Sequence, residues 1–189
     1  MADGTAQRVS TGFAQTIDAA ILARARRGDM VAFAEIYTVY GRPCYTLALR
    51  LLGSTSAAED VVQDVFLKLM DAVRGFRGDA PFGAWLKRMT ANAAIDQLRK
   101  AGRGSAEEGE AALDALAASE TAPATAIDAW SLLQRLPAQA RAIVVLHQFE
   151  GYSHKELAAL FGQTESYSKS ILSRALQRLQ KSVRDDSTS

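Results

Sequence analysis

Apolar residues recur every three or four positions along most of this 189-residue chain, and one stretch near the middle interrupts them. Such spacing places apolar side chains on one face of an α-helix, and no sustained alternation of apolar and polar residues predicts a strand. The interruption is rich in Ala, Gly, Glu and Ser, a composition typical of flexible tethers. The sequence therefore predicts an all-α fold with two small helical domains, at 17–100 and 128–184, joined by a flexible acidic linker at 101–127.

The composition excludes several other classes of protein. With 48% hydrophobic and 23% charged residues, the chain has the make-up of a folded globular protein. No apolar run approaches the roughly 20 residues that span a bilayer, so we expect no membrane insertion. Residues 1–16 are polar, lack the apolar core of a signal peptide, and are predicted to be a disordered N-terminus. We therefore expect a cytoplasmic protein.

The predicted first domain has clear helical faces. Asp29 is a good N-cap for a helix whose apolar face carries Phe33, Ile36, Tyr37 and Tyr40. Pro43 is expected to kink or break this helix. A later helix is predicted to bury Val61, Val62, Val65, Phe66 and Leu69. The lone cysteine, Cys44, is predicted to be a core thiol, because free cysteines behave as small buried hydrophobes.

The predicted second domain ends in a helix-turn-helix pattern. Residues 152–162 read as a capped helix that ends at Gly162, and a second helix begins three residues later with Glu165 or Ser166 in its first turn. Leu157, Leu160 and Leu172 would hold the two helices at a fixed angle. The outward face of the second helix would then carry short polar and basic side chains into a major groove of DNA: Tyr167, Ser168, Lys169, Ser170, Ser173 and Arg174. The alternative is a helical hairpin that only packs.

Charge is unevenly distributed along the chain although the net charge is only +1. Residues 74–103 hold seven Lys or Arg against two acids, and residues 165–184 hold five against one. Between them, residues 104–128 hold six acids and no base. Two basic blocks favour two contacts with a polyanion, and ordinary solvated helix faces explain the charges equally well.

Taken in order, these segments resemble the extracytoplasmic-function (ECF) type of bacterial sigma factor. In the first domain the resemblance lies in the sequences at 58–67, 76–82 and 85–88, together with Asn92, Asp96, Leu98 and Arg99. In the second domain it lies in Leu136-Pro137 and in the sequences at 151–153, 156–158 and 169–175. The resemblance implies a transcription initiation factor that binds core RNA polymerase and promoter DNA and is controlled by an anti-sigma factor.

Residue roles follow from that resemblance for the first domain. The helix around residue 60 resembles the surface that docks on the clamp coiled coil of polymerase, with five residues implied in binding: Glu59, Asp60, Gln63, Asp64 and Phe66. Alternatively, Glu59 only caps its helix. The next loop and helix resemble the part that opens the minus-ten promoter element, which implies DNA contacts by Phe76, Arg77, Gly78, Asp79, Ala80, Lys87, Arg88, Asn92, Arg99 and Lys100. Phe82 and Trp85 could stack on bases, but the spacing of Trp85 favours a core position.

The second domain resembles the module that reads the minus-thirty-five element. The implied DNA-binding residues are Ser166, Tyr167, Ser168, Lys169, Ser170, Ser173, Arg174 and Arg178. Ile171 and Leu176 stand where this helix often carries arginines, so fewer phosphate contacts are expected.

Two other functions would explain parts of the sequence. A helix-turn-helix regulator that binds DNA without polymerase would explain 128–183 but gives no role to the acidic helix or the loop at residue 77. An enzyme is not predicted: His147 and His154 lack the spacing of a zinc helix, His154 reads as a surface residue, and no nucleophile is paired with a base. We expect no metal and no cofactor.

Overall fold

A computed structural model describes residues 12–101 and 129–186 of the chain. Within those two ranges all regular structure is helical and no strand occurs, which confirms the prediction of an all-α fold. Except for Ala101, the predicted linker lies outside the described residues. So does most of the predicted N-terminal tail.

The helices of the first range are joined by short turns. They are α1 (Ala19–Arg26), α2 (Met30–Leu52), α3 (Thr55–Ala72) and α4 (Phe82–Ala101), with 3-10 turns at Gly12–Ala14 and Val73–Gly75.

The second range contains four further α-helices and one π-helical turn. They are α5 (Ala129–Gln134), α6 (Ala138–Val144), the π-turn Val145–Phe149, α7 (His154–Phe161) and α8 (Glu165–Asp186).

Contacts divide the described residues into two compact units, each with its own apolar core. One unit is built from 12–48 and 56–93, and the other from 49–55, 94–101 and 129–186. Ile36, Val65 and Leu86 are fully buried in the first unit. Ile143, Leu157 and Ile171 fill the core of the second. Burial of these helix faces is the main source of stability, because isolated helices of this length are marginal in water.

Helix α2 starts at the predicted cap and runs through Pro43 to Leu52. The Asp29 carboxylate accepts a hydrogen bond from the backbone N–H of Val31 at 2.9 Å, which makes it the N-terminal cap. Pro43 lies inside a continuous helix, so the expected break is wrong. Proline costs about 3 kcal/mol in a helix interior. Burial of residues on both sides, such as Tyr40 and Leu47, outweighs that cost.

The prediction of a disordered tail is wrong for residues 12–16, which the structure orders. The Phe13 ring stacks on Tyr40 at 6.5 Å between centroids, and the Tyr40 hydroxyl donates to the Gln15 carbonyl at 2.6 Å. A Cβ atom at Gly83 would lie 2.0 Å from the Phe13 carbonyl oxygen, so only glycine permits this close approach. One aromatic residue in a polar segment anchors it, a signal that average polarity conceals.

The predicted helix-turn-helix is present in the second unit. The Ser153 hydroxyl accepts from the Glu156 N–H at 3.2 Å, and the Glu156 carboxylate accepts from the Ser153 N–H at 2.9 Å, forming a capping box at the start of α7. Gly162 ends α7 with a φ of 66°, a left-handed conformation that favours glycine. Helix α8 follows at Glu165.

Candidate functional site

An apolar groove of about 840 Å³ lies between α2 and α3 in the first unit. Its lining includes Met30, Tyr37, Phe66 and Leu67. Tyr37 is 54% exposed, which differs from its expected place on the buried face of α2, and Leu67 is 57% exposed. The Phe66 ring meets the Tyr37 ring edge-on at 4.8 Å. Exposed apolar side chains gathered in one concavity are typical of a binding site for another protein.

A row of polar and acidic side chains borders this groove along α3. Glu59 and Gln63 line the groove itself. Asp60 and Asp64, the residues that follow them in sequence, are exposed on the adjacent face of α3. Because positions four apart share a helix face, Asp60 and Asp64 form one acidic edge. The structure thus brings together all five residues that the resemblance assigns to polymerase binding, with Phe66 half-buried beside Tyr37.

The loop before α4 is anchored by an aromatic cluster. The Phe76 ring lies 5.3 Å from Phe82 and 5.2 Å from Trp85, measured between centroids. Phe82 is buried, whereas Trp85 is half-buried. Arg26 on α1 donates a hydrogen bond to the Phe76 carbonyl at 2.6 Å. The start of the loop is therefore held from two sides, and Phe76 has a structural role in addition to any contact with DNA.

The rest of the loop is presented to solvent. Arg77, Gly78, Asp79 and Ala80 are exposed, and Arg77 approaches Asp79 at 3.4 Å. Gly78 has a φ of 84°, which turns the chain back at the tip. Such an anchored, turned loop can form one wall of a pocket for an unstacked base.

Helix α4 carries polar side chains after this loop. Arg88, Asn92 and Arg99 recur at helical spacing on its exposed side. Lys87 is half-buried and Lys100 is exposed. The Arg99 guanidinium pairs with Asp96. The helix can thus offer cationic groups to a phosphate backbone and one amide that both donates and accepts hydrogen bonds.

The second helix of the helix-turn-helix presents a mixed polar and basic face. Ser166, Lys169 and Ser173 are exposed on α8. Ser170, Arg174 and Arg178 are half-buried. Lys169 lies 3.9 Å from Glu165, an exposed ion pair that contributes little to stability. Tyr167 is half-buried, and its backbone N–H donates to the Thr164 hydroxyl at 3.1 Å.

Ser168 differs from the expected outward position. Its side chain is buried, with 2% exposure, and its hydroxyl lies 3.0 Å from Nδ1 of His154, the first residue of α7. His154 was expected at the surface but is half-buried, and its ring lies 4.4 Å from that of His147. Burial, followed by the nearby His147 and Lys169, lowers the pKa of His154.

The lone thiol has the predicted environment. Cys44 is fully buried, and its Sγ lies within hydrogen-bond distance of the Thr90 hydroxyl oxygen, at 3.3 Å. Burial raises its pKa from 9.0 to about 11, so it is a poor nucleophile. Among the residues that the structure describes, no three His, Cys, Asp or Glu side chains come together as metal ligands would. None of the helices there is long and apolar enough to cross a membrane.

Comparison with known families identifies both regions of the chain. The family model of sigma-70 region 2 matches residues 36–104, and that of sigma-70 region 4 matches residues 127–179. Most of the groove, the loop and α4 lie in the first match, and the helix-turn-helix lies mainly in the second. The chain is therefore a sigma factor, a class that binds core RNA polymerase and directs it to promoters.

Comparison with individual proteins identifies the type of sigma factor. The chain is 36% identical over 166 residues to the ECF RNA polymerase sigma factor SigM of Mycobacterium tuberculosis, covering 86% of this chain and 82% of that protein. It belongs to the ECF sigma factors, which confirms the resemblance. A similar solved structure is the sigma factor RpoE of Bartonella quintana in complex with the anti-sigma factor NepR: TM-score 0.53, 27% identity, 82% of this chain and 98% of that chain. The structure of CnrH in complex with the cytosolic domain of CnrY is also similar, with a TM-score of 0.50 and 27% sequence identity. That match covers 88% of this chain and 97% of CnrH.

Sequence reasoning missed two features of these surfaces. Met30, Tyr37 and Leu67 complete the groove. The signal for Met30 and Tyr37 is an apolar stripe on α2 wider than one buried face, whereas Leu67 lies on α3 outside the face predicted to be buried. The pairing of His154 with Ser168 joins residues 14 positions apart, and no periodicity indicates it.

Proposed function

We propose that the groove between α2 and α3, with its acidic edge on α3, is where this sigma factor binds core RNA polymerase. The supporting observation is the concentration of exposed apolar side chains, including Tyr37 and Leu67, beside Asp60 and Asp64. An apolar groove with an acidic edge suits an amphipathic helix that carries basic residues. The charges steer the encounter, and the apolar side chains supply most of the affinity.

Charge reversal tests the acidic edge. Asp60→Lys and Asp64→Lys should each weaken binding to core polymerase, most strongly at low salt, because exposed charges are screened above a Debye length. Asp71→Lys is the matched control, since Asp71 is exposed on the last turn of the same helix and does not line the groove. Equal affinity for all three variants and wild type, with normal circular dichroism, would remove this edge from the interface.

For the minus-ten element, we propose that the loop at 77–80 and helix α4 hold the unpaired strand. The loop is anchored at Phe76 and turns at Gly78, and Asn92 follows on the exposed side of α4. Arg77, Lys87, Arg88, Arg99 and Lys100 supply the backbone electrostatics. Asn92 reads a base edge only after melting, since an unpaired base offers its full edge.

Asn92→Ala separates this step from docking. We expect closed complexes to form normally and open complexes to decrease, measured by permanganate reactivity of the melted thymines. A template already mismatched at the minus-ten element should restore opening but not base discrimination. Gln97→Ala is the matched control, an amide on another side of the same helix. Wild-type reactivity and base preference in the Asn92→Ala complex would end the proposal.

For the minus-thirty-five element, we propose that the outward face of α8 enters the major groove of DNA. Ser166, Ser170 and Ser173 are placed to reach base edges, with Tyr167 beside them. Lys169, Arg174 and Arg178 contact phosphates. Lys169→Ala should lower the dependence of binding on salt by about one unit of slope, and Lys181→Ala, further along α8, should not.

The remaining parts of the account rest on the family. We propose domains at 17–100 and 128–184, a tether between them, and a cytoplasmic location beside the polymerase. We also propose control by an anti-sigma factor that occludes one or both domains, in keeping with the NepR complex of the similar RpoE. Because each proposed surface binds a macromolecule and Cys44 is unreactive, we assign no catalytic activity, metal or cofactor to the chain.

A further inference from the structure

Ser168 carries a buried hydroxyl group on α8, the helix that we propose faces DNA. Its backbone N–H already donates to the Thr164 carbonyl at 3.2 Å, so the hydroxyl is the group whose burial must be compensated. A buried hydroxyl without a partner is costly. Nδ1 of His154, at 3.0 Å, is the partner that the structure provides. The bond joins the first turn of α7 to the first turn of α8.

His154 is itself held in place by its surroundings. Its ring packs against His147 with 36° between the planes, and Nδ1 of His147 lies 2.7 Å from the Tyr152 carbonyl oxygen. Since a carbonyl oxygen only accepts, that nitrogen of His147 carries a proton. The capping box of Ser153 fixes the backbone immediately before His154. His154 is therefore a rigid support for whatever it bonds.

The hydrogen bond constrains α8 in a way that its apolar contacts do not. Ile171 and Leu172 are buried and hold the helix against the core. Apolar contacts are non-directional, so they fix which face of α8 is buried but tolerate small rotations about the helix axis. A hydrogen bond near 3.0 Å has a preferred angle as well as a distance, and it acts here in the first turn, where Ser166 and Lys169 project.

We propose that His154 and Ser168 are positioning residues that set the rotation of α8, so that recognition of the minus-thirty-five element depends on a pair that reads no base. This rests on the proposed role of α8 in DNA binding. Variants that lack this hydrogen bond should differ from variants that lose a direct DNA contact. A rotated helix misplaces several short side chains at once, so base preference should relax at several positions. The number of phosphate contacts should stay the same, because long, flexible lysine and arginine side chains can still reach the phosphates.

The test uses the complex with core polymerase and a promoter library randomised at the minus-thirty-five element. Ser168→Ala removes the hydroxyl, and His154→Phe keeps a stacked ring without the hydrogen bond. Each should lower the preference for the wild-type-selected sequence about fivefold, and the double variant should lower it no further. His154→Asn places an amide near the position of Nδ1 and should retain most of the preference. The salt slope should equal that of wild type in all four, in contrast to Lys169→Ala.

Four results would overturn the proposal. Loss of preference at a single base pair in Ser168→Ala, with normal His154→Phe, would make Ser168 a direct contact. Independent, multiplicative effects of the two substitutions would show that they do not act through one bond. Normal preference in every variant, while wild type selects a defined element and Lys169→Ala lowers the salt slope, would remove the pair and leave the role of α8 standing. If wild type itself selects no element, the proposed role of α8 fails along with the pair.

A measurement on the unaltered chain covers the case in which a variant does not fold. In the nitrogen NMR spectrum His154 should show a fixed tautomer, and the Ser168 hydroxyl proton should exchange slowly enough to be seen. A freely exchanging hydroxyl, or a His154 ring that averages between tautomers, would overturn the hydrogen bond on which the proposal depends.

Discussion

Truncating Leu67 should weaken polymerase binding without unfolding the chain. Full burial of a leucine side chain contributes about 2 kcal/mol. Because Leu67 is 57% exposed in the free chain, roughly 1 kcal/mol of that remains to be gained when a partner covers the groove. Leu67→Ala should therefore reduce the affinity for core polymerase by about five- to tenfold. The loss of folding free energy should stay below about 1 kcal/mol, since less than half of the side chain is buried.

Titration of labelled core polymerase at two salt concentrations measures this effect. The loss in Leu67→Ala should be nearly independent of salt, because it is an apolar term, whereas that of Asp64→Lys should shrink as salt rises. Val31→Ala is the matched control, since Val31 is 62% exposed in the same unit but does not line the groove. If Leu67→Ala binds as tightly as Val31→Ala and wild type, the groove is not the docking surface.

Three further predictions concern stability and reactivity. Ser153→Ala breaks the capping box and should lower the free energy of unfolding of the helix-turn-helix by about 1 kcal/mol, measured by urea titration. An unchanged midpoint would show that the cap does not stabilise this region. Cys44, whose pKa is raised by burial to about 11, should resist alkylation at pH 8 until the chain unfolds. Rapid labelling of Cys44 in the native state, seen by mass spectrometry, would contradict the buried thiol. Because the thiol of the unfolded chain ionises from about pH 9, the free energy of unfolding should fall between pH 9 and 11. The pKa of His154 is lowered by burial, so the unfolded state binds more protons than the folded state at acidic pH. The free energy of unfolding should therefore rise with pH up to about 6.5. If His154→Asn shows the same pH dependence of this free energy as wild type, the prediction is wrong.

Much of the fold follows from local pattern. The helix-turn-helix was predictable because its signals are sequential: a capping serine, an apolar stripe, Gly162 as a stop and a second amphipathic helix. The all-α class followed from periodicity, and the family from the order of short sequence segments around Asp60, Arg77 and Asn92. Each of these depends on neighbours along the chain, which a sequence displays directly.

What the sequence did not reveal depends on tertiary contact. Polarity placed Phe13 in a disordered tail, but the absence of a side chain at Gly83 lets its backbone pack against α4. Pro43 predicted a break that packing overrides. Tyr37 shares helical spacing with buried residues yet lines an open groove. Ser168 looks like a DNA contact by composition, and only the position of His154 shows that it faces inward.

Runoff transcription with core polymerase tests the central claim most directly. On a duplex promoter, core polymerase with the wild-type chain should start transcription at one site, and neither component should do so alone. Leu67→Ala should require more protein to reach the same rate, and Asn92→Ala should stay defective at saturation unless the minus-ten element is premelted. A chain that binds the promoter tightly by itself and gives no polymerase-dependent start, or variants that all transcribe like wild type, would contradict the account.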